Sequence, residues 1–414
     1  MVKLSGRHNL INAYILLGLL SCISFVIACI VSDGGMFVMA TSDHTGTGIF
    51  GDNFIHVVGS SYLNQMYELY GDACCFPPFA YLLYYLIYCI DPVYCVDIWD
   101  WFTMRDSNST MLLFVSYIVI EFLLLAWILQ RLYRQYGFKI GVLMTSLIVV
   151  SYPFMFAATR HGNCVGITAI ICLIAVVLGE SDSKLEQEIA LILIAVAAGM
   201  KFYPAILGLI YLKRKDWKKV ARLIVYGIVI VIGPFVFFGG IDGIRHLAGH
   251  LTALSDREAG INTFEGLFTW MFSKIGVLAP HAQTLSVIGT NVLFVVLIIC
   301  FFLTKKKWQG MLFIGAIMTS YISSSFDYNC VYYLPAFIMF LQEEYIGAEQ
   351  NKFTNIWIAY NMLVFAMLFT VPFYLSFVFY NLATGLFLII HATVFFNLVN
   401  SLYEFIYFKV IKKQ

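Results

Sequence analysis

Residues 11–31 read INAYILLGLLSCISFVIACIV, a run without a single charged side chain. About 20 apolar residues in a helix cross the hydrocarbon core of a bilayer. The run is too long for the apolar core of a signal peptide, and no small-residue cleavage site follows it. We therefore expect it to form a first, retained membrane span.

The whole chain has the same character. Of its 414 residues, 61% are hydrophobic and only 12% are charged, and the mean hydropathy is +0.84. Soluble domains are about 25% charged, so a soluble globule, a coiled coil and a disordered chain are excluded. A β-barrel would show short alternating segments instead of long apolar runs. The composition predicts an all-α, polytopic transmembrane protein of about 10 spans, with further runs at 111–130, 140–158, 164–179, 220–238, 287–304, 309–323, 331–342, 354–373 and 379–400.

Basic residues predict the sidedness of these spans. Four basic groups follow apolar runs, at 131–139, 213–219, 305–307 and 409–413. The positive-inside rule places all four in the cytoplasm, together with both chain termini. This arrangement requires that 76–90 is a short interfacial or re-entrant helix. It also requires that 188–212 is a hairpin of two short helices, broken at Pro204.

Two large extracytoplasmic loops are then expected, at 33–108 and 239–286, within one membrane domain that covers residues 1–414. A short turn at 159–163 and a smaller piece at 323–329 lie on the same side. The formal net charge of +1 indicates no nucleic-acid partner.

Asp52 is the leading acidic candidate in the first loop. It follows three glycines that let a backbone approach a ligand closely, and His56 and Asn53 can share a helix face with it. The alternative is that Asp52 caps a helix that starts before Phe54. Other carboxylates in the same loop stay open as candidates: Asp33, Asp43 and Asp72.

Arg160 and His161 occupy the short turn between two spans, followed by Gly162 and Asn163. The planar donor fork of an arginine at the membrane face can hold a lipid phosphate. The alternative is an interfacial arginine whose head reaches the lipid headgroups.

Lys201 lies inside the apolar stretch 188–212, between Met200 and Tyr203. An ionisable residue in a membrane segment is costly and indicates a functional site. Lys201 would provide a point charge for a phosphate oxygen, with Tyr203 beside it. The alternative is a lysine that extends to the near interface.

Two further groups are weaker candidates. Arg257 and His250 in the 239–286 loop could contact a phosphate or sugar, although most charges there are expected to be simply solvated. Asp327 and Asn329 could line a sugar site with Tyr328, although an aromatic belt also explains the tyrosines. Histidine and cysteine spacings indicate no zinc site, and no nucleotide-binding or hydrolase motif is present.

In this order, the motifs resemble those of the GT-C superfamily of integral-membrane glycosyltransferases, and most of all family 87, the polyprenyl-phosphate-mannose type. The resemblance covers roughly residues 10–340. It rests on five motifs: Asp52 with Phe54, the Pro-Pro segment Phe76 to Leu82, Gly162-Asn163, Lys201 to Pro204 before the basic cluster, and Tyr328 to Pro335. His56 and the Cys74-Cys75 pair depart from the family pattern.

The resemblance implies an inverting transfer of a hexose, mannose first, from a polyprenyl-phosphate sugar to a glycan or glycolipid. Asp52 would act as general base. Arg160, His161, Lys201, Tyr203 and Arg257 would bind the donor phosphate, and His56, Asn163, Asp327 and Tyr328 would bind acceptor or sugar. No cofactor or metal is required, and the expected partners are membrane lipid, the lipid-linked donor and the acceptor.

A bacterial plasma membrane is the expected location. Two alternatives stay open, a transporter or flippase of lipid-linked sugars and a polysaccharide polymerase. A transporter often shows inverted repeats, and none is visible. A polymerase would be expected to carry a long, arginine-rich outer loop, whereas 239–286 contains only Arg245 and Arg257.

Overall fold

A computed structural model describes residues 2–35, 51–69, 74–90, 108–255, 259–260, 262–321, 327–371 and 379–407. Within these ranges every regular element is a helix and no β-strand occurs. The predicted all-α class is therefore confirmed.

The α-helices of the described ranges follow one another with short 3-10 and π segments between them. They are α1 Val2–Val31, α2 Gly51–Ser60, α3 Met66–Leu69, α4 Pro78–Ile90, α5 Asn108–Tyr133, α6 Phe138–Val149, α7 Val165–Leu178, α8 Lys184–Met200, α9 Leu209–Lys213, α10 Trp217–Gly227, α11 Gly240–Ser255, α12 Phe264–Ser273, α13 Ala282–Leu303, α14 Lys307–Ser320, α15 Leu334–Glu343, α16 Lys352–Leu368 and α17 Phe379–Ile406.

Five stretches in the described part are long and apolar enough to cross a membrane. They are His8–Val31, Leu112–Tyr136, Trp217–Phe237, Ala279–Leu303 and Gly385–Ile406. Many of their apolar side chains, such as Ile23, Val229 and Val292, are exposed, as a hydrocarbon solvent allows. The chain is an integral membrane protein. Other predicted spans form shorter apolar helices such as α7, so the number of about 10 spans stays a prediction.

The chain divides into two compact units, and the expectation of a single domain stays a prediction. The first unit comprises Met1–Ala40, Ala126–Phe156 and Glu258–Gln414. The second comprises Thr41–Leu125 and Ala157–Arg257, so α5 contributes to both.

In the second unit, α8 forms the first arm of the predicted hairpin. It begins after Ser183, whose side chain accepts a hydrogen bond from the amide of Glu186. It ends at Met200 because Pro204 has no amide hydrogen for the next helical bond and its ring clashes with the preceding turn. The chain continues through an extended Lys201 into the 3-10 helix Tyr203–Gly208 and α9.

Two ion pairs show that the hairpin returns to the level at which it began. Arg214, just after α9, pairs with Glu180 just before α8, and Arg222 pairs with Glu188. The structure shows that the chain turns back over 188–212, and the entry of this hairpin into the membrane stays a prediction. The 76–90 stretch likewise forms a helix of only 13 residues, α4, with Pro78 at its first position.

In the first unit, three buried amide side chains link α14, α16 and α17. Gln309 Nε2 donates to Asn397 Oδ1 at 3.3 Å, and Asn397 Nδ2 donates to Asn361 Oδ1 at 2.9 Å. Gln309 Oε1 in turn accepts from the hydroxyls of Thr304 and Ser401. We refer to these five side chains as the polar ladder.

Candidate active site

Asp52 lies in the first turn of α2, where the backbone amides of a helix lack intrahelical partners. A carboxylate at this end interacts favourably with the helix dipole. Asp52 is the second residue of the described part of α2. Its side chain is half-buried.

The Arg160-His161 motif lies at the last turn of a helix and not in a free loop. The π-helix Tyr152–Thr159 runs on through both residues, and two backbone bonds then close it. The amide of Gly162 donates to the carbonyl of Thr159 at 2.9 Å, and that of Asn163 donates to Ala158 at 3.2 Å. This pair of bonds is a Schellman motif, which requires a left-handed residue at Gly162. Its φ of +67° meets that requirement.

Side-chain amides join α2 to the 159–163 turn. Asn163 Nδ2 donates to Asp52 Oδ2 at 3.2 Å. In the other direction, Asn53 Nδ2 contacts the Gly162 carbonyl at 3.5 Å and donates to the Tyr117 hydroxyl at 3.1 Å. Asp52 and the turn therefore share one face of the second unit, as the predicted topology requires.

Lys201 is a buried cation, with 8% of its surface exposed. Its Nζ lies 3.4 Å from the centroid of the Phe76 ring, a desolvated cation–π contact worth about 2 kcal/mol. Among the described residues no carboxylate forms an ion pair with it, although Asp52 is near enough to interact with it electrostatically. A desolvated ammonium with this surrounding is suited to bind an anion.

His56 is packed among aromatic rings and is not exposed on the face that carries Asp52. Its ring centroid lies 4.1 Å from that of Phe76, and its Nδ1 lies 3.3 Å from the Tyr81 hydroxyl. Burial, and to a lesser extent the positive charge of Lys201, lower the pKa of His56 to about 3. His56 is therefore neutral at physiological pH.

Arg160 and His161 contact each other. A guanidinium nitrogen of Arg160 lies 2.9 Å from His161 Nε2, which accepts the bond when the imidazole proton is on Nδ1. Both side chains are half-buried, and so is that of Tyr203, two residues after Lys201.

The remaining predicted residues are not brought into this group. Tyr328 and Asn329 are buried in the first unit, on the 3-10 helix Asp327–Tyr333. Arg257, Asp43, Asp72 and the side chain of Asp327 lie outside the described residues. In α11, His246 is exposed and the His250 ring contacts Tyr67. Asp33 follows α1 in the first unit.

Sequence reasoning missed two partners of the site and left a third unassigned. Asn53 was considered only as a companion of Asp52, and Tyr117 was not considered. No role was predicted for Glu121, a rare carboxylate inside the apolar run 111–130. It is fully buried and accepts a hydrogen bond from Thr159 at 3.0 Å. The spacing of Tyr117 and Glu121, four residues apart on one apolar helix, was the available signal.

Within the described ranges, no cluster of three or more His, Cys, Asp and Glu side chains could hold a metal ion. The site instead joins one half-buried carboxylate to a buried ammonium and an arginine–histidine pair. Such a group can accept a proton on one side and stabilise a developing anion on the other.

These features define an all-α integral-membrane protein with a carboxylate and cations gathered in one helical unit. The model of glycosyltransferase family 87 matches residues 75–323, more than half of the chain. The chain belongs to this family and is a glycosyltransferase. The match includes Arg160, Asn163 and Lys201 and begins after Asp52 and His56. Searches of curated proteins and of solved structures gave no match.

Proposed function

We propose that the protein transfers a hexose, with mannose as the first candidate, from a polyprenyl-phosphate sugar to a glycan or glycolipid acceptor. The reaction inverts the anomeric centre and takes place on the extracytoplasmic side of a bacterial plasma membrane. The main support is one observation. The half-buried Asp52 lies in the same unit as Lys201, which is buried and forms no ion pair with a carboxylate among the described residues.

Asp52 is the general base in this proposal. The acceptor hydroxyl loses its proton to the carboxylate as its oxygen attacks the anomeric carbon, and the bond from that carbon to the phosphate oxygen breaks. Asn163 orients the carboxylate, because its amide is the hydrogen-bond donor that the described side chains offer to Asp52. Asn163 and His56 are the proposed acceptor and sugar residues of this unit, while Asp327 and Tyr328, which belong to the first unit, stay predictions.

Lys201, Arg160, His161, Tyr203 and Arg257 bind the donor phosphate and stabilise its charge as it leaves. Fixed cations in a site with little water are worth much more than in solution. With this charge supplied by side chains, the reaction requires neither a metal ion nor a cofactor.

The test is sugar transfer by the purified protein, given polyprenyl-phosphate mannose or the glucose equivalent and a crude membrane-lipid or glycan acceptor. Wild type is compared with Asp52→Asn, which should lose about 10²- to 10⁴-fold in rate. Asp242→Asn is the matched control, since Asp242 also lies in the first turn of a helix, α11, but is exposed and pairs with Arg245. It should transfer at the wild-type rate.

Equal rates for Asp52→Asn and wild type, with both proteins folded, would move the base to another carboxylate. Retention of the donor's anomeric configuration in the product would contradict direct displacement. Wild type that moves the lipid-linked sugar across vesicles without transferring it would instead support the transporter alternative.

A further inference from the structure

Helix α5 faces lipid over most of its surface but carries one buried stripe. Leu112, Leu123 and Trp127 are 70%, 60% and 49% exposed. The buried stripe, spaced by about one helical turn, consists of Tyr117, Glu121, Leu125, Ile128, Leu129 and Tyr133. Tyr117 and Glu121, the polar members that belong to the second unit, each contact a different part of the site.

Glu121 contacts the 159–163 turn. Its Oε2 accepts from the hydroxyl of Thr159, the residue directly before Arg160. A buried helical threonine usually satisfies its hydroxyl within its own helix, as Thr145 does with the carbonyl of Gly141 at 2.8 Å. Thr159 instead bonds to another helix, so this contact fixes the turn relative to α5.

Tyr117 contacts α2. Its hydroxyl accepts from Asn53 Nδ2, and Asn53 is the neighbour of Asp52. The same Asn53 amide reaches the Gly162 carbonyl. The contacts close a ring that runs from α5 through Thr159 and the turn to Asn53, and back to α5.

A carboxylate at position 121 is a costly way to hold a threonine. The side chain is fully buried in a candidate span, and its Oε1 has no hydrogen-bond partner among the described residues. Burying such a group without full pairing is unfavourable, and intramembrane carboxylates are rare for that reason. Leucine would serve packing alone.

We propose that Glu121 and Tyr117 are positioning residues, through which α5 sets the distance between the 159–163 turn and Asp52. This inference rests on the proposed function, because it takes the turn as the donor-phosphate site and Asp52 as the base. Neither residue touches the reacting atoms.

The two ends of the ring should affect different kinetic constants. Loss of the Glu121–Thr159 bond displaces groups that hold the phosphate in both ground and transition states, so donor KM rises. Loss of the Tyr117–Asn53 bond displaces the base, so kcat falls.

The experiment measures donor kcat and KM for wild type and for variants at both ends. We expect about tenfold higher KM for Glu121→Leu and Thr159→Val. Glu121→Gln and Thr159→Ser, which can still form the bond, should stay near wild type. Tyr117→Phe should lower kcat about tenfold with KM unchanged. Thr145→Val is the matched control for a buried threonine and should change neither constant.

If wild type transfers sugar and both Glu121→Leu and Thr159→Val keep its donor KM, the positioning role is overturned and the proposed function stands. If wild type transfers no sugar from either lipid donor, the proposed function fails. The ring of contacts is then tested by thermal unfolding of Glu121→Leu, of Thr159→Val and of the double variant that combines them. Non-additive shifts of Tm are expected, and additive shifts would overturn it.

Discussion

The polar ladder of the first unit and the candidate site of the second unit both bury polar side chains, but the hydrogen bonding of these two sets differs. In the polar ladder of the first unit, Gln309, Asn361 and Asn397 are neutral and bond to one another and to neighbouring groups. In the second unit, Asn53 Oδ1, Asn163 Oδ1 and Glu121 Oε1 are buried without a hydrogen-bond partner among the described residues.

The difference separates a structural network from a binding site. Neutral amides that satisfy one another join membrane helices and need nothing further. A cluster that keeps a buried cation and unused acceptors is costly for the apo protein, and it can recover that cost when a polar ligand binds. The same types of residue therefore have different roles, which their hydrogen bonds distinguish.

The largest expected effect comes from removing the cation. Lys201→Met should lower the transfer rate about 100-fold, since a fixed positive group at the leaving phosphate is lost. Stability should change little, because loss of the cation–π contact with Phe76 is offset by removal of a buried charge that forms no ion pair among the described residues. Rates and Tm are measured together.

The control for this variant is Lys274→Met. Lys274 follows the last residue of α12 as Lys201 follows α8, but it is exposed. If both variants lose activity equally, the loss is not specific to the buried site and the comparison between the units fails.

A second effect is on stability against pH. With a native pKa of about 3, His56 stays neutral while the unfolded state takes up a proton below pH 6.5. The difference in the pKa of His56 between the folded and unfolded states has no effect on stability above about pH 7. As pH falls it lowers the free energy of unfolding, by about 2 kcal/mol at pH 5. The Tm of the wild type, measured by thermal unfolding, should therefore decrease between pH 7 and pH 5.

His56→Gln should show a smaller decrease between pH 7 and pH 5, because the group that titrates is gone. His246→Gln, a change at an exposed histidine of α11, should keep the wild-type slope. Equal slopes for wild type and His56→Gln would mean that His56 is not held neutral by its surroundings.

The smallest effect is expected in the polar ladder. Asn397→Leu removes partners from Gln309 and Asn361 and should lower stability by about 1 kcal/mol. The transfer rate measured well below the Tm should stay at the wild-type value. A loss of activity without a loss of stability would mean that the ladder takes part in the reaction.

The sequence predicted much of the fold because charge and apolar length act locally. The basic residues at 213–219 and the break at Pro204 were enough to indicate a hairpin, which the Arg214–Glu180 pair confirms. Asp52 and Lys201 were predicted as site residues because their residue types are unusual at these positions, and these roles stay predictions. The family resemblance was confirmed by the match over 75–323.

The contacts between these residues could not be predicted in the same way. Asn163 meets Asp52 across 111 positions, and Thr159 meets Glu121 across 38. Such pairs depend on how helices pack, which apolar periodicity does not specify when most faces are apolar. The turn at Gly162 was predicted. The π-helix that leads into this turn and continues through Arg160 was not predicted.

The length of α8 also sets how far Lys201 lies from the ion pairs at the start of the hairpin. Its 17 residues rise roughly 25 Å from the end near the Glu180 and Glu188 ion pairs to the break at Lys201. Inserting one residue between Glu188 and Lys201 would turn the ammonium by about 100° and raise it by about 1.5 Å, away from Phe76. The length of this arm is therefore under a stricter constraint than its composition, and homologous chains should vary the residues along α8 more readily than their number.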